Sequence, residues 1–207
     1  TAAIDWFFEN ESLGIIIEED LDFSESIFEF VDNFTYILEQ DRIFALCMFN
    51  PIFDIAYNFY SRHWIPWGWA TTREKWEMVR KESATKKVRT QFRKVLHPAN
   101  RYPVRHFLNS VISRVEIGVI ATWDAQVHAA VLNLNLLSVF PSRSLTHHLG
   151  YGPGAAHAGD IDWWVNYEIG ISNAGQPYGP RYRLDKKFEA AWRMNWRALL
   201  SDLIRKR

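Results

Sequence analysis

The chain of 207 residues contains one cysteine, Cys47, so no disulfide can form within it. Apolar residues surround Cys47 along the sequence, which predicts an inert buried thiol and favours a reducing compartment. No run approaches the roughly 18 consecutive apolar residues of a transmembrane helix, and no signal peptide opens the chain. These absences predict a cytoplasmic protein, with association at a membrane surface left open.

Basic residues are almost absent from the first part of the sequence. Residues 1–54 contain 13 of the 24 acidic residues but only one base, Arg42, although the formal net charge is zero. The remaining residues therefore carry 23 bases against 11 acids. This segregation predicts an acidic, metal-binding portion beside a basic portion that suits an anionic ligand. No basic cluster is extensive enough to predict a nucleic-acid partner.

The most informative segment is an uncharged β-branched run that ends in acidic residues. Residues 14–22 read Gly-Ile-Ile-Ile-Glu-Glu-Asp-Leu-Asp, and three consecutive isoleucines predict a strand buried on both faces of a parallel sheet. The acids then follow the carboxyl end of that strand, where open α/β sheets bind ligands. Carboxylates crowded there favour a hard divalent cation, Mg²⁺ or Mn²⁺, although a solvated acidic turn is the alternative.

Apolar spacing and capping residues predict alternating helices and strands. Asp22 and Glu25 have the form of a capping box, so we expect Asp22 to cap a helix and Glu18, Glu19 and Asp20 to remain for ligand chemistry. Helices are predicted at 1–9, at 24–40, from Thr72 through Trp76, from Thr122 to about Leu132 and at 185–205, and further strands at 42–49 and Leu136–Phe140.

Aromatic residues and one further acid are candidates for the remainder of a site. Asp124 begins a predicted helix, where it either complements the helix dipole or acts as a general base towards an acceptor hydroxyl. Trp123 beside it walls a pocket or belongs to the core. Trp64, Trp67 and Trp69 either pack around a turn or face an acceptor.

Three histidines lie in or beside a segment rich in glycine and proline. Residues 141–160 have the composition of a functional loop and include His147, His148 and His157. Their spacing does not match a structural zinc site. They are either ordinary surface residues or phosphate contacts in a loop that closes over a nucleotide.

Taken together in this order, these segments resemble the metal-dependent glycosyltransferases of the GT-A fold. The nearest likeness is to bacterial nucleotide-diphospho-sugar transferases and to the eukaryotic N-acetylglucosaminyltransferase that initiates complex N-glycans. Each segment is weakly specific alone, and the shared order is more specific. The segments are residues 3–9 (Ala-Ile-Asp-Trp-Phe-Phe-Glu), 14–22, 28–30 (Phe-Glu-Phe), 67–71 (Trp-Gly-Trp-Ala-Thr), 122–124 (Thr-Trp-Asp) and 149–152 (Leu-Gly-Tyr-Gly) with His157.

The resemblance implies an α/β GT-A fold with a central, mostly parallel sheet flanked by helices. It implies that Glu18-Glu19-Asp20 occupies the DXD position, with Asp20 as the ligand of Mn²⁺ or Mg²⁺. Glu18 and Glu19 would support it or contact the nucleotide ribose. Trp123 and Asp124 would form the acceptor-side pair, with Asp124 as catalytic base. His157 would lie in the loop that closes on the donor, and Trp67 and Trp69 are the further substrate contacts we expect.

The implied reaction is inversion by single displacement. An acceptor hydroxyl, on a glycan or another molecule, attacks the anomeric carbon of a nucleotide-sugar, with a UDP-sugar favoured, while the nucleoside diphosphate leaves. Glu19 replaces the middle aspartate of the relatives' Glu-Asp-Asp, and Ala125 and Val127 replace aromatic residues after the Trp-Asp pair. Relatives also carry a preceding half with the strands that bind the base and ribose. We therefore expect this chain to correspond to the C-terminal portion of the fold, or a partner chain to supply that half.

The sequence predicts two regions. Residues 1–160 are expected to be the catalytic region with its metal and acceptor sides. Residues 161–207 are expected to be an extension that ends in an amphipathic helix, docked on the domain or in weak contact with a membrane surface. Two other functions remain open: a non-catalytic carbohydrate- or partner-binding module, and a nucleotidyltransferase-like enzyme that shares the fold.

Overall fold

The computed structural model describes residues 1–52, 55–84, 101–119 and 121–149, together with 175–177 and 187. These residues form a central sheet with helices on both faces. The elements are α1 (Ala2–Asn10), β1 (Leu13–Ile16), β2 (Leu21–Phe23), α2 (Ser26–Phe34), a 3₁₀ helix (Thr35–Glu39), β3 (Ile43–Cys47), β4 (Phe59–Ser61), β5 (Trp69–Thr72), α3 (Arg73–Ser83), α4 (Arg101–Glu116), α5 (Asp124–Asn133), β6 (Leu137–Phe140) and β7 (Thr146–His148). Apart from the single residues just given, the expected C-terminal extension at 161–207 lies outside the described residues.

The main sheet has five strands in the order β1-β5-β3-β6-β4, and β2 and β7 form a separate antiparallel ribbon. Among the strands that the structure describes, only β3 and β6 pair in parallel, whereas the β1–β5, β3–β5 and β4–β6 pairs are antiparallel. The expectation of a mostly parallel sheet is therefore wrong for the described strands. An apolar run indicates apolar contacts around a strand, but the connections between elements set the direction of the strand. The coarser class, a mixed α/β fold with helices around the sheet, is confirmed.

Strand β1 lies at an edge of the described sheet, where it pairs with β5. Its Leu13 is exposed, and Ile15 and Ile16 are half-buried, so the expectation of a strand buried on both faces is wrong. Ile15 and Ile16 do pack against apolar clusters on opposite faces of the sheet. The fully buried strands are instead β3 and β6, all of whose residues are buried. The isoleucine run therefore predicts the two apolar layers correctly but not the position of the strand.

The sheet separates two apolar cores. Helices α1, α3, α4 and α5 cover one face, with buried side chains such as Phe8, Trp76 and Leu108. Helix α2 and the 3₁₀ helix cover the other face, with Phe30 and Leu38 among their buried residues. Ile17, in the connection between β1 and β2, packs against the second of these cores.

Two of the predicted helix starts are confirmed closely. Helix α1 occupies Ala2–Asn10, against residues 1–9 in the prediction. Thr72 is the N-cap of α3, and its hydroxyl oxygen accepts a hydrogen bond from the backbone N–H of Lys75 at 3.4 Å. The predicted start of α3 at Thr72 is therefore confirmed, and the structure supplies its physical cause, a side-chain cap.

The predicted capping role of Asp22 is wrong. Asp22 lies in β2, opposite His147 of β7, and its carboxylate accepts a hydrogen bond from the backbone N–H of Phe23. Helix α2 begins at Ser26, whose N–H donates to the hydroxyl of Ser24. Pairing with β7 keeps Asp22 in extended conformation, so the local capping pattern is overridden by a strand far away in the sequence.

Cys47 lies in the apolar core, as the apolar residues next to it in the sequence predicted. It is fully buried, and this burial raises the pKa of its thiol to about 12. A thiol with such a pKa carries almost no nucleophilic thiolate near neutral pH. Within the part of the chain that the structure describes, no helix has the length and apolar character needed to cross a membrane.

Candidate active site

Glu18, Glu19 and Asp20 form the connection between β1 and β2. The Glu18 and Asp20 side chains are half-buried, and that of Glu19 is exposed. The backbone N–H of Leu21 donates to the carbonyl of Glu18 at 3.2 Å, which closes a tight turn around the acids. The N–H of Leu149, just after β7, donates to the carbonyl of Asp20 at 2.7 Å. Both ends of the acidic turn are therefore fixed by backbone hydrogen bonds.

Asp124 is the first residue of α5, and Trp123 is the N-cap residue. Thr122, where the sequence predicted this helix to begin, lies before it and donates its hydroxyl hydrogen to the Asp124 carboxylate. Most of α5 is buried in the core, so packing fixes the position of its first turn and of Asp124. A carboxylate there is also stabilised by the positive end of the helix dipole.

The acids of the turn and of α5 meet in space. Burial is the main cause that raises the pKa of the Glu18 carboxyl, followed by the negative charges of Asp20 and Asp124. The charge of Glu19 raises this pKa further, by a smaller amount. Because the charges of both Asp20 and Asp124 act on Glu18, Glu18 lies near its neighbour in the turn and near an acid that is far away in the sequence.

Trp123 connects this acidic site to the aromatic core. Its side chain forms a hydrogen bond with Glu18 that partly offsets the rise in the Glu18 pKa, and the indole N–H is the donor. Its ring packs against Trp64, Trp69 and Trp76, with centroid distances of 5.7, 6.4 and 6.4 Å. Trp123, the predicted acceptor-side tryptophan, therefore contacts Glu18 directly in this structure.

On the other side of the turn, Asp20 lies beside a buried histidine. The Nε2 atom of His148 is 3.5 Å from a carboxylate oxygen of Asp20, and His148 is opposite Leu21 in the β2–β7 ribbon. The Trp67 ring packs edge-on against His148 at 4.9 Å between centroids. Sequence reasoning left His148 as either an ordinary surface residue or a phosphate contact, and it missed this contact with Asp20. No local pattern in the sequence pairs β7 with β2.

The other predicted substrate contacts have different outcomes. The expectation of a substrate contact is wrong for Trp69. Its side chain is fully buried in β5, between β1 and β3, so its ring does not reach a substrate in this structure. Trp67 is half-buried and next to His148, on the Asp20 side of the site. His157 lies outside the described residues.

A second polar pair lies within the core, and no pattern in the sequence predicted it. The Nδ1 atom of His63 and the Nε2 atom of His128 are 3.1 Å apart, and both side chains are buried. Burial lowers the pKa of His128 well below its ordinary value, and the neighbouring His63 lowers it further. His128 is on the same helix as Asp124, so the pair packs the helix that carries Asp124.

The acidic site has oxygen ligands suited to a hard cation but not a complete protein cage. Among the described residues, no three His, Cys, Asp or Glu side chains form a group arranged to hold a metal ion. Mg²⁺ and Mn²⁺ sites of enzymes often use only one or two carboxylates and complete the coordination with water and substrate phosphates. The crowding of carboxylates around Glu18 fits such an open site.

No protein-family model matches the chain, and the comparison with curated proteins finds no significant match.

Proposed function

We propose that this protein is an inverting, metal-dependent glycosyltransferase of GT-A type, or the catalytic part of one. The proposal is carried by one observation: Glu18 is close enough to both Asp20 and Asp124 for their charges to raise its pKa. A donor-side cation ligand and an acceptor-side base must face one cleft in this chemistry. The mixed sheet with flanking helices is compatible with the proposed fold type.

In this proposal Asp20 is the protein ligand of Mn²⁺ or Mg²⁺. Glu18 and Glu19 flank it and support the cation or contact the ribose of the donor. When bound, the ion neutralises the diphosphate that departs from the sugar. The negative charges that raise the Glu18 pKa supply the attraction for a cation. The buried His148 next to Asp20 restricts the orientation of the Asp20 carboxylate.

Asp124 is the proposed catalytic base. Its carboxylate removes the proton of the acceptor hydroxyl as the hydroxyl oxygen attacks the anomeric carbon. The bond to the nucleoside diphosphate breaks on the opposite face, so a single displacement inverts the anomeric configuration. Thr122 donates a hydrogen bond to Asp124, which fixes the carboxylate and leaves its other lone pairs for the acceptor.

The donor we propose is a nucleotide-sugar, with a UDP-sugar favoured, and the acceptor is a glycan or another hydroxyl compound. The resemblance also implies strands that bind the base and ribose. We propose that such strands, from another part of the protein or a partner chain, extend the sheet beside β1. Strand β1 is the edge strand of the described sheet, and it leads directly into the acidic turn.

The experiment measures ligand binding first and transfer second. Thermal unfolding is followed with UDP-, GDP- and dTDP-sugars, each with and without Mn²⁺, for the full chain and for Asp20→Ala. Asp22→Ala is the matched control, because Asp22 is an exposed acid two residues away whose carboxylate bonds only its own β2 backbone among the described contacts. We expect Mn²⁺-dependent stabilisation by one nucleotide-sugar, lost in Asp20→Ala and kept in Asp22→Ala.

Transfer is then measured with the donor that stabilises the chain. Asp124→Asn is expected to retain donor binding and to abolish transfer. Glu74→Gln removes an exposed acid from the first turn of α3 and controls for the loss of a helix-dipole partner. If no nucleotide-sugar stabilises the chain with Mn²⁺, even when the strands that bind the base and ribose are supplied with it, the enzyme proposal fails and a non-catalytic binding module is favoured. Transfer that survives in Asp124→Asn removes this residue from its role. Stabilisation by nucleoside triphosphates alone would favour nucleotidyl transfer.

A further inference from the structure

Trp123 contacts both halves of the candidate site. Its indole N–H donates a hydrogen bond to the carboxylate of Glu18, in the acidic turn between β1 and β2. Trp123 is also the N-cap residue of α5, so it is joined through the backbone to Asp124, the first residue of that helix. One residue therefore connects the proposed cation side of the site to the proposed base.

The ring of Trp123 is held by a cluster of other tryptophans. The ring centroids of Trp64, Trp69 and Trp76 lie 5.7, 6.4 and 6.4 Å from that of Trp123, and all three side chains are buried. Trp69 is opposite Ile16 of β1, the strand that leads into the acidic turn. The contacts come from β5, from α3 and from the β4–β5 connection, so packing restricts the orientation of the ring and of its N–H.

The chemistry of indole limits what Trp123 can bind. An indole ring has one polar hydrogen, on Nε1, and no polar acceptor atom. While this hydrogen is donated to Glu18, it cannot also be donated to the hydroxyl of an acceptor substrate. The acceptor-side role that the resemblance implies for Trp123 is therefore left with apolar contact alone.

The bond to Glu18 matters because this carboxylate is crowded. Glu18 is half-buried, and the charges of Asp20 and Asp124 act on it. A hydrogen bond from an N–H to an ionised carboxylate is stronger than a bond between neutral groups. A donor that packing holds against the Glu18 carboxylate therefore offsets part of the repulsion and restricts the orientation of this carboxylate.

We infer that Trp123 is a positioning residue of the proposed cation site and is not a hydrogen-bond donor to the acceptor. It holds the Glu18 carboxylate beside Asp20, and a cation bound there changes the environment of the indole N–H. This role rests on the proposed function, because it requires a cation at the acidic turn. The contact between Trp123 and Glu18 does not depend on that function.

The first measurement follows the indole N–H directly. Isotopic labelling of the tryptophan nitrogens gives one indole signal for each of the ten tryptophans in a proton–nitrogen correlation spectrum, and Trp123→Phe identifies the signal of Trp123. We expect Glu18→Gln to shift this proton signal upfield, because a bond to a neutral amide oxygen is weaker. Titration with Mg²⁺ should also shift it. Trp64 gives the reference signal, because its Nε1 is buried without a hydrogen-bond partner among the described residues.

The second measurement is the affinity for Mn²⁺, by electron paramagnetic resonance. Trp123→Phe keeps an aromatic ring but removes the N–H, and it should weaken Mn²⁺ binding by roughly tenfold, as expected for a residue that orients groups around a metal ion. Trp64→Phe makes the same change in the same cluster and should bind Mn²⁺ as the unaltered chain does. In the Glu18→Gln background, Trp123→Phe should have a much smaller effect, because the partner of the N–H is already altered. Thermal unfolding of each variant checks that the fold is kept.

The possible results separate this role from the proposed function. If Glu18→Gln leaves the Trp123 indole signal unchanged, Trp123 does not bond Glu18 in solution and the inference is overturned. Equal weakening of Mn²⁺ binding by Trp123→Phe and Trp64→Phe, or by Trp123→Phe with and without Glu18→Gln, would assign Trp123 a packing role only. Absence of Mn²⁺ binding by the unaltered chain overturns this role together with the proposed cation site, whereas the other results overturn this role alone.

Discussion

The carboxylate of Asp20 lies 3.5 Å from Nε2 of His148, and this contact joins the acidic turn to β7. His148 is buried, and its ring is held by Trp67 and by the pairing of β7 with β2. A buried, packed partner restricts the conformations of a half-exposed carboxylate more strongly than a surface residue could. His148 is therefore a positioning residue for the proposed cation ligand.

The first prediction concerns cation affinity. His148→Asn should weaken Mn²⁺ binding by roughly ten- to a hundredfold, the usual range for residues that orient a metal ligand. The measurement is titration of free Mn²⁺ by electron paramagnetic resonance. His147→Asn is the control, because His147 is the neighbouring histidine of the same strand but is opposite Asp22 instead of Leu21. Equal affinities in the two variants would show that His148 does not position Asp20.

The second prediction concerns the charge of Glu18. Because the folded-state pKa of Glu18 is raised, its ionised form destabilises the fold at pH values above that pKa. Without metal, Glu18→Gln should therefore raise the melting temperature at pH 7, by about 2–4 °C for each kcal/mol gained. The gain should shrink as the pH falls, and disappear below the ordinary carboxyl pKa, where Glu18 is protonated in both states. Glu19→Gln, at an exposed position, should show a smaller gain.

The outcome for Glu18 distinguishes crowding from solvation. If Glu18→Gln leaves the melting temperature unchanged at pH 7, water screens the charges of the acidic turn, and these charges do not favour cation binding. If Mn²⁺ stabilises the unaltered chain more than Glu18→Gln, the crowded charges contribute to cation binding.

How far the sequence predicts the site depends on the range of the interactions. The start of α3 was predicted at Thr72, and the cap that the structure shows there depends on atoms only three residues apart. Asp20 and Asp124 were proposed as partners only through the resemblance. Asp22 was misassigned because a strand more than a hundred residues later pairs with it. Trp69 was misassigned because its burial depends on β1 and β3, which lie on either side of β5. Local rules therefore recovered helix ends and apolar layers, whereas strand neighbours require the fold.

The third prediction concerns the buried pair of His63 and His128. The folded-state pKa of His128 is lowered, so below its ordinary pKa the unfolded chain binds a proton that the folded chain does not. Stability should therefore fall as the pH drops from 7 towards 5, by at most about 1.4 kcal/mol per pH unit from this residue. Urea unfolding at several pH values measures the slope.

Two variants test whether His128 causes this dependence of stability on pH. His128→Gln should be less stable than the unaltered chain at pH 7 but should lose part of the dependence on pH. His106→Gln changes an exposed histidine on α4 and should retain it. A His128→Gln variant with the full pH dependence would mean that other groups cause the acid sensitivity.

The last prediction concerns the packing of β1 on α1, which fixes where the acidic turn begins. A Cβ atom added to Gly14 would lie 2.2 Å from the ring of Phe7, and Gly14 is itself buried. Gly14→Ala should therefore destabilise the protein by about 1–3 kcal/mol, the usual cost of overpacking. Phe7→Ala removes the obstructing ring, so the double variant should be more stable than the sum of the single changes predicts. Urea unfolding of all four proteins gives this coupling, and additive effects would mean that β1 moves to accept the methyl group. In that case Mn²⁺ binding by Gly14→Ala should weaken as well, because the same shift displaces Glu18 and Asp20.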